Sequence, residues 1–220
     1  MNYNKIMEEE LSHISAQKNV PSLLLHSCCA PCSSHVIDLL TNYFNITIVY
    51  YNPNIEPIEE YEKRKKEEIR FISEYPHKNS ITMLDCDHEN DLFHKTIKGL
   101  EKEHEGGARC IKCYYLRMEK TAQLAKEKGF DYFATTLTVS PLKNSVKLNE
   151  IGKYLSDKYD IKYLYSDFKK KEGYKHSIEM SKEYNLYRQD YCGCIYSKEE
   201  REKIKNNANK DDVTNLVDTY

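Results

Sequence analysis

Five short apolar runs, each followed by a stretch with helical periodicity, constrain this chain more than any other feature. Ser22–His26 is an apolar run bounded by Pro21, and Asn45–Tyr51 is rich in β-branched and aromatic residues and stops at Asn52-Pro53. Ser80–Leu84 and Phe130–Thr136 read the same way, and Ile161–Tyr165 is a weaker fifth strand. Helical patterns fall at Cys32–Tyr43, Ile58–Tyr75, Asp91–Leu100, Cys113–Lys128 ending at Gly129, Val146–Tyr159 and Tyr174–Tyr184. Such alternation predicts an α/β fold. Its core is a doubly wound, mostly parallel sheet of about five strands, with helices on both faces and a binding crevice at the carboxyl ends of the strands. Residues 1–20 add an N-terminal helix, Lys198–Lys205 a C-terminal one, and 206–220 is a polar tail expected to fray. No internal repeat, long linker or composition break interrupts the 220 residues, so 1–220 is expected to be a single domain.

Charge and hydropathy remove several classes of function. Lys+Arg 33 and Asp+Glu 35 leave a formal net charge of −2, which excludes a chain-wide electrostatic grip on nucleic acid and leaves only local basic patches. No apolar run approaches the roughly 20 residues of a membrane span, and the N-terminus does not read as a secretory signal. The expected location is therefore the cytoplasm. In that reducing compartment clustered thiols point to metal binding or redox chemistry rather than to structural disulfides. Seven of the eight cysteines are grouped, as Cys28/Cys29/Cys32, Cys110/Cys113 and Cys192/Cys194.

The first group lies between a strand and a helix, in Ser27-Cys28-Cys29-Ala30-Pro31-Cys32. Pro31 suits a first helical turn, where its missing N–H costs nothing. The free N–H groups and positive dipole end there lower thiol pKa values, so this segment is a natural metal half-site. Arg109-Cys110-Ile111-Lys112-Cys113, introduced by Gly106-Gly107, also runs into a helix. Residues 109–128 hold six Lys or Arg against two Glu, a local excess of +4 that would offset an anionic cluster.

If Cys28/Cys29 and Cys110/Cys113 start helices at adjacent strand ends, four thiolates converge on one crevice. A [4Fe–4S] cluster or a Zn²⁺ ion could accept them, and unmetallated thiols are the third reading. Adjacent cysteines at the mouth of a sheet put a metal where substrates bind, unlike the paired knuckles of a structural zinc ribbon, and this favours iron–sulfur. In Tyr191-Cys192-Gly193-Cys194 a disulfide needs a tight backbone, which Gly193 permits. Such a bond would be strained and readily reduced, as in a redox relay; two ordinary buried thiols are the alternative. Cys86, in Asp85-Cys86-Asp87, reads as packing.

Four segments together resemble the QueH family of epoxyqueuosine reductases: Leu25-His26-Ser27-Cys28-Cys29-Ala30-Pro31-Cys32, Arg109–Tyr114, Ser140-Pro141-Leu142-Lys143-Asn144, and Tyr187-Arg188-Gln189-Asp190-Tyr191-Cys192-Gly193-Cys194. Asp167–Lys171 fits as well, and the resemblance spans about 20 to 200. It implies a nucleotide α-hydrolase-like sheet and reductive removal of the epoxide oxygen from epoxyqueuosine at the tRNA wobble position. It further implies that Cys28, Cys29, Cys110 and Cys113 ligate the iron–sulfur cluster, and that Cys192 and Cys194 form a C-terminal thiol pair. Cys32 stands where some relatives carry an Asp that holds an additional iron.

Such a reaction requires a low-potential electron donor and contacts to tRNA. Candidate phosphate contacts are Lys169, Lys170, Lys171, Lys175 and Arg188, and Tyr187 or Tyr191 could stack on an exposed base. Ser140, Asn144 and the Asn52 segment follow strands and are candidates for binding the modified base; His26, His35 and Asp190 are candidate proton donors. Two other classes compete. A non-catalytic zinc-bearing RNA-binding protein is one; the other is a nucleotide-activating tRNA sulfur-transfer enzyme, which the lack of Gly in Ser27–Pro31 disfavours.

Overall fold

Period-two alternation puts successive strand residues on opposite faces of the sheet, and here both faces are covered. Leu23 and Leu25 pack into one buried cluster with Ile46, Ile48, Tyr132 and Ala134, while Leu24 packs into another with Val49, Phe133 and Tyr163. Leu23, Leu24 and Leu25 are each 0% exposed, which accounts for an uninterrupted apolar run where a one-sided sheet would alternate. Truncating any of them to Ala is expected to cost about 2–5 kcal/mol.

The computed structural model describes residues 1–217, with side-chain surroundings through residue 206. In chain order the elements are α1 (Tyr3–Ser15), β1 (Ser22–His26), α2 (Ala30–Leu40), β2 (Asn45–Val49), α3 (Ile58–Glu74), β3 (Ile81–Leu84), α4 (Asn90–Ile97), α5 (Ala108–Glu127), β4 (Tyr132–Thr135), a 3₁₀ turn (Thr136–Val139), α6 (Ser145–Tyr159), β5 (Lys162–Tyr163), α7 (Gly173–Glu183) and α8 (Ile195–Val217). Of the tail expected to fray at 206–220, the side chains beyond 206 lie outside those described. No described helix is long and apolar enough to cross a membrane.

The sheet order is β3-β2-β1-β4-β5, and every pair is parallel. The chain therefore winds outward from β1 in one direction, returns, and winds outward from β4 in the other. The α/β fold read from the sequence is the observed one. The switch point lies between the carboxyl ends of β1 and β4, the place where an open parallel sheet leaves a crevice. The loop after β1 carries Cys28 and Cys29, and the segment after β4 carries Ser140 and Lys143.

One boundary bears on chemistry. α5 starts at Ala108, five residues before the helical periodicity becomes clear, because Gly107 takes an extended N-cap conformation. Cys110 and Cys113 thus sit three apart on one face, in the first turns of the helix. Pro31 falls in the first turn of α2, as its missing N–H requires.

Candidate metal centre

The loop leaving β1 is fixed from both sides. His26 is fully buried, its Nδ1 3.0 Å from Thr135 Oγ1 and its Nε2 3.2 Å from the Tyr51 carbonyl. Burial, with the Arg117 charge nearby, pushes its pKa down to about 3, so the ring is neutral and acts as a strut between β1, β4 and the end of β2. Asn52 is buried too. Its amide donates to the Ser27 carbonyl at 2.8 Å, which ties the loop after β2 to the cysteine turn.

On that scaffold the sulfurs of Cys28, Cys29 and Cys32 lie within 4.8 Å of one another, and Cys28 Sγ stands 3.8 Å from Cys29 Sγ. Gln189 Nε2 donates to Cys29 Sγ at 2.9 Å. Hydrogen bonds from Cys29 and Cys32, helped by Lys143 and Arg117, hold Cys28 well below the usual thiol range. Burial pushes Cys29 the other way. One thiolate shared among three sulfurs is the ready state of a soft-metal half-site.

Cys110 and Cys113 flank this group without entering it. Cys110 packs in the same buried cluster as Cys28 and Cys29 and accepts the Gly106 N–H at 3.2 Å. Cys113 packs with Phe93, Ile97 and Cys194. Burial raises both thiols, Cys113 to about 11. A protein this dry around its sulfurs charges them only against a cation, and cations are present, Arg64 and Arg109 among them. Arg117 is buried one turn after Cys113, its Nε donating to the Cys113 carbonyl at 3.3 Å and its Nη2 without a partner. Burial opposes its charge, but Cys113, Cys192 and Cys28 outweigh burial and raise its pKa. The same balance holds Lys143 charged, with Cys192 the largest favourable contributor. A buried arginine with an unused donor, and a half-buried lysine on the cavity wall, beside a set of cysteines fit an anionic, thiolate-held metal group.

Lys143, Cys32, Ser140 and Cys192 line one cavity of about 170 Å³ with Arg188 and Gln189 on its wall. The C-terminal thiol loop is anchored by Arg64 of α3, which donates to the carbonyls of Cys192 and Tyr191 at 3.0 and 3.3 Å. Gly193 takes φ +146°, and a Cβ there would stand 2.9 Å from Ile55 Cγ1, so the loop closes against the chain after β2 only because no side chain intervenes. Cys192 faces the cavity, half-buried; Cys194 is buried beside Cys113, which pushes it up to about 12 mainly through desolvation.

Other sequence candidates are held elsewhere. Asn144 is exposed and caps α6, accepting the Lys147 N–H at 3.1 Å. Tyr187 donates to Glu60 and has Lys63 stacked 3.4 Å above its ring. Lys169 pairs with Asp167 at 2.8 Å, Lys171 pairs with Glu8, and Lys175 pairs with Glu172 at 3.2 Å. Lys170 and Lys171 line a cleft against α1. Tyr191 lines the cavity and donates to the Glu56 carbonyl at 2.6 Å; Asp190, also on the cavity wall, pairs with Lys205. His35 faces His176 and is not on the cavity wall. Sequence reading did not single out Lys143, Arg117 or Arg64. Lys143 was visible as a cation in the loop after the fourth strand, and Arg117 as a cation four residues after Cys113 on a helix.

With this geometry in view, similarity to known proteins is decisive. The family model described as epoxyqueuosine reductase QueH matches residues 23–200. The chain belongs to the QueH family. It is 44% identical to an epoxyqueuosine reductase QueH of Streptococcus pyogenes serotype M1 over 199 residues, 90% of this chain and 78% of the relative. Similarity to the QueH of Staphylococcus epidermidis is 42% over 90% of this chain and 84% of that protein; to the QueH of Acinetobacter baylyi it is 39% over 92% of each. Family membership makes the chain an oxidoreductase, and the matched region contains all of the sheet but Ser22, the first residue of β1, and all eight cysteines.

Proposed function

We propose that this chain is an iron–sulfur epoxyqueuosine reductase, acting in the cytoplasm on tRNA that carries epoxyqueuosine at the wobble position. The observation that carries the reading is the convergence of Cys28, Cys29 and Cys32 at the switch point, beside a cavity that also presents Lys143 and Cys192. The reaction consumes two electrons and two protons: both C–O bonds of the epoxide break, the alkene of queuosine forms and the oxygen leaves as water.

Cys28, Cys29, Cys110 and Cys113 would hold a [4Fe–4S] cluster, and Cys32 an additional iron beside it. Bound there, such a group supplies low-potential electrons singly and affinity for the oxygen. Lys143 presents a fixed positive charge where the oxygen becomes anionic, since it lines the cavity and the neighbouring cysteines favour its charged form. Arg117 offsets the charge of the thiolates from behind. Oxidation of the Cys192–Cys194 dithiol to a disulfide would release two electrons and two protons, the stoichiometry of one turnover. An external low-potential donor would then restore the dithiol.

A cavity of about 170 Å³ is smaller than the roughly 300–1,000 Å³ of sites that engulf a whole ligand. It suits entry of the epoxide-bearing ring while the polynucleotide stays outside. Ser140 lies where it could meet that ring; Asn144, exposed at the start of α6, and Asn52, behind the cysteine turn, would act on it from further out. Arg188, exposed on the cavity rim, is the first candidate for a phosphate contact. Lys170 would serve directly, Lys169 and Lys171 by exchanging their carboxylate partners for phosphate, and Tyr187 by giving up Lys63 for a base.

The test is anaerobic incubation of the iron-reconstituted protein with epoxyqueuosine-bearing tRNA and a strong reductant, followed by mass analysis of the nucleosides. Loss of one oxygen atom is expected. An unchanged nucleoside from a protein that is colourless and holds zinc would favour the non-catalytic reading; broad absorbance near about 400 nm marks Cys-ligated iron–sulfur.

A further inference from the structure

A second group of metal-ligating side chains lies away from the cysteines, where α7 packs on α2. His35 and Asp38 are three apart on α2 and so share a face, and His176 faces them from α7. His35 Nδ1 stands 3.0 Å from His176 Nδ1, His176 Nδ1 stands 3.7 Å from Asp38 Oδ2, and the three ligand atoms all fall within 4.8 Å of one another. We propose that His35, Asp38 and His176 form a mononuclear site for a Zn²⁺-class divalent cation that clips α7 to α2.

Three observations support the assignment. The spacing fits: two nitrogens bound to one Zn²⁺ at about 2.0–2.1 Å stand roughly 3.3 Å apart at a tetrahedral angle. A supporting contact is in place, because Tyr75 Oη donates to Asp38 Oδ1 at 2.5 Å and leaves Oδ2 free to turn toward the imidazoles. The His35 ring is also fixed. A Cβ at Gly173 would lie 2.4 Å from its Nε2, so the start of α7 closes over that edge and the ring presents Nδ1 to His176. Burial and the neighbouring His176 hold the His35 pKa below its usual value, which keeps a lone pair for a metal. A hydrogen bond between the rings accounts for the His–His contact and the Tyr75 hydroxyl for one oxygen of Asp38; a cation accounts for both imidazoles and the second carboxylate oxygen at one point.

The clip has a consequence for the cavity. α2 carries Cys32 one turn before His35, and α7 contributes Tyr174 and Ser177 to the cavity wall. A cation joining the two helices would set the position of that wall without touching substrate. This inference is independent of the reductase reading, since the ligands are neither cysteines nor cavity residues.

The test uses the protein as purified anaerobically, titrated with Co²⁺ and read as difference spectra against the protein before addition. One equivalent should bind with visible d–d bands and without thiolate-to-cobalt charge transfer, because the donors are nitrogen and oxygen, and Zn²⁺ should displace it. His35→Ala and His176→Ala should abolish those bands. Tyr75→Phe, which spares all three ligands, should weaken binding about 10-fold. Zn²⁺ should raise the thermal midpoint of the wild type and leave that of His176→Ala unchanged. The His176 side chain is 42% exposed, so this variant, or His176→Gln, is expected to fold normally. Absence of nitrogen–oxygen cobalt bands in the wild type, or their persistence at the same midpoint in His176→Ala, overturns the assignment.

Discussion

Arg64 Nη1 donates to the Cys192 carbonyl oxygen at 3.0 Å, so a residue in the middle of α3 sets the position of a thiol 128 positions later in the chain. The same guanidinium reaches the Tyr191 carbonyl, pairs with Glu60 at 2.7 Å and lies 5.0 Å from the Tyr191 ring centroid. A planar fork can do all of this at once and an ammonium cannot. Arg64→Lys keeps the charge but is expected to lose about 2–3 kcal/mol of stability, the scale of one or two charge-assisted bonds. The thiol loop should loosen with it. Alkylation of Cys192 by iodoacetamide, followed by peptide mass mapping, should run several-fold faster than in the wild type; an unchanged rate would mean that Arg64 does not hold the loop.

Among the described residues Lys143 is the one lysine on the cavity wall. If its charge stabilises developing negative charge on oxygen, Lys143→Met should lower the single-turnover rate by about 10²–10³-fold. Iron content and visible spectrum should be retained. Lys143→Arg should recover part of the rate. A wild-type rate in Lys143→Met would remove this residue from the chemistry.

Glu68 of α3 is fully buried beneath the cysteine turn, with the Ser27 and Ser33 side chains its polar neighbours. Burial pushes its pKa up to about 8. A carboxyl raised in the folded state binds more protons folded than unfolded, so its linked stability is full below the unfolded value near 4.5, declines as pH rises toward 8 and is flat beyond. Glu68→Gln removes the ionisation and keeps the shape. It should be more stable than the wild type at pH 8, on the order of a few kcal/mol, and the two should converge near pH 4.5. Urea unfolding at several pH values measures this; parallel curves would mean that Glu68 titrates normally.

The fold was legible because its signals are local and repeated. The strand Leu23–Leu25 declares its two-sided burial by being continuously apolar, and Pro31 and Gly129 punctuate their helices. The start of α5 was less legible: residues 108–112 contain Arg109 and Cys110, whose burial and contacts come from Glu200, Gly106 and the cysteine cluster rather than from periodicity, and an exposed Lys112. The site divides along the same line. Cysteine spacing announces Cys28, Cys29 and Cys32, since residues in one turn must meet. Arg64 meets Cys192 only through the tertiary fold, and Asn52 turns out to brace Ser27 because the loop after β2 folds back under the loop after β1. No spacing rule encodes such contacts.

The ligand set is the sharpest remaining question, because the structure gathers Cys28, Cys29 and Cys32 while Cys110 and Cys113 flank them. A four-iron cluster anchored by Cys28, Cys29, Cys110 and Cys113, with Cys32 holding a separate iron, predicts unequal losses. Cys28→Ser and Cys110→Ser should each strip most of the iron and the broad visible absorbance. Cys32→Ser should keep the absorbance and lower the iron count by about one per chain. Cys192→Ser with Cys194→Ser should change neither, yet fail to turn over with a mild dithiol-dependent donor. Iron analysis and visible spectra after anaerobic reconstitution separate these outcomes. Should Cys32→Ser bleach the protein while Cys113→Ser leaves it brown, the loop after β1 would itself be the principal anchor. Arg117 would then serve as counter-charge to that loop rather than to a cluster shared with α5.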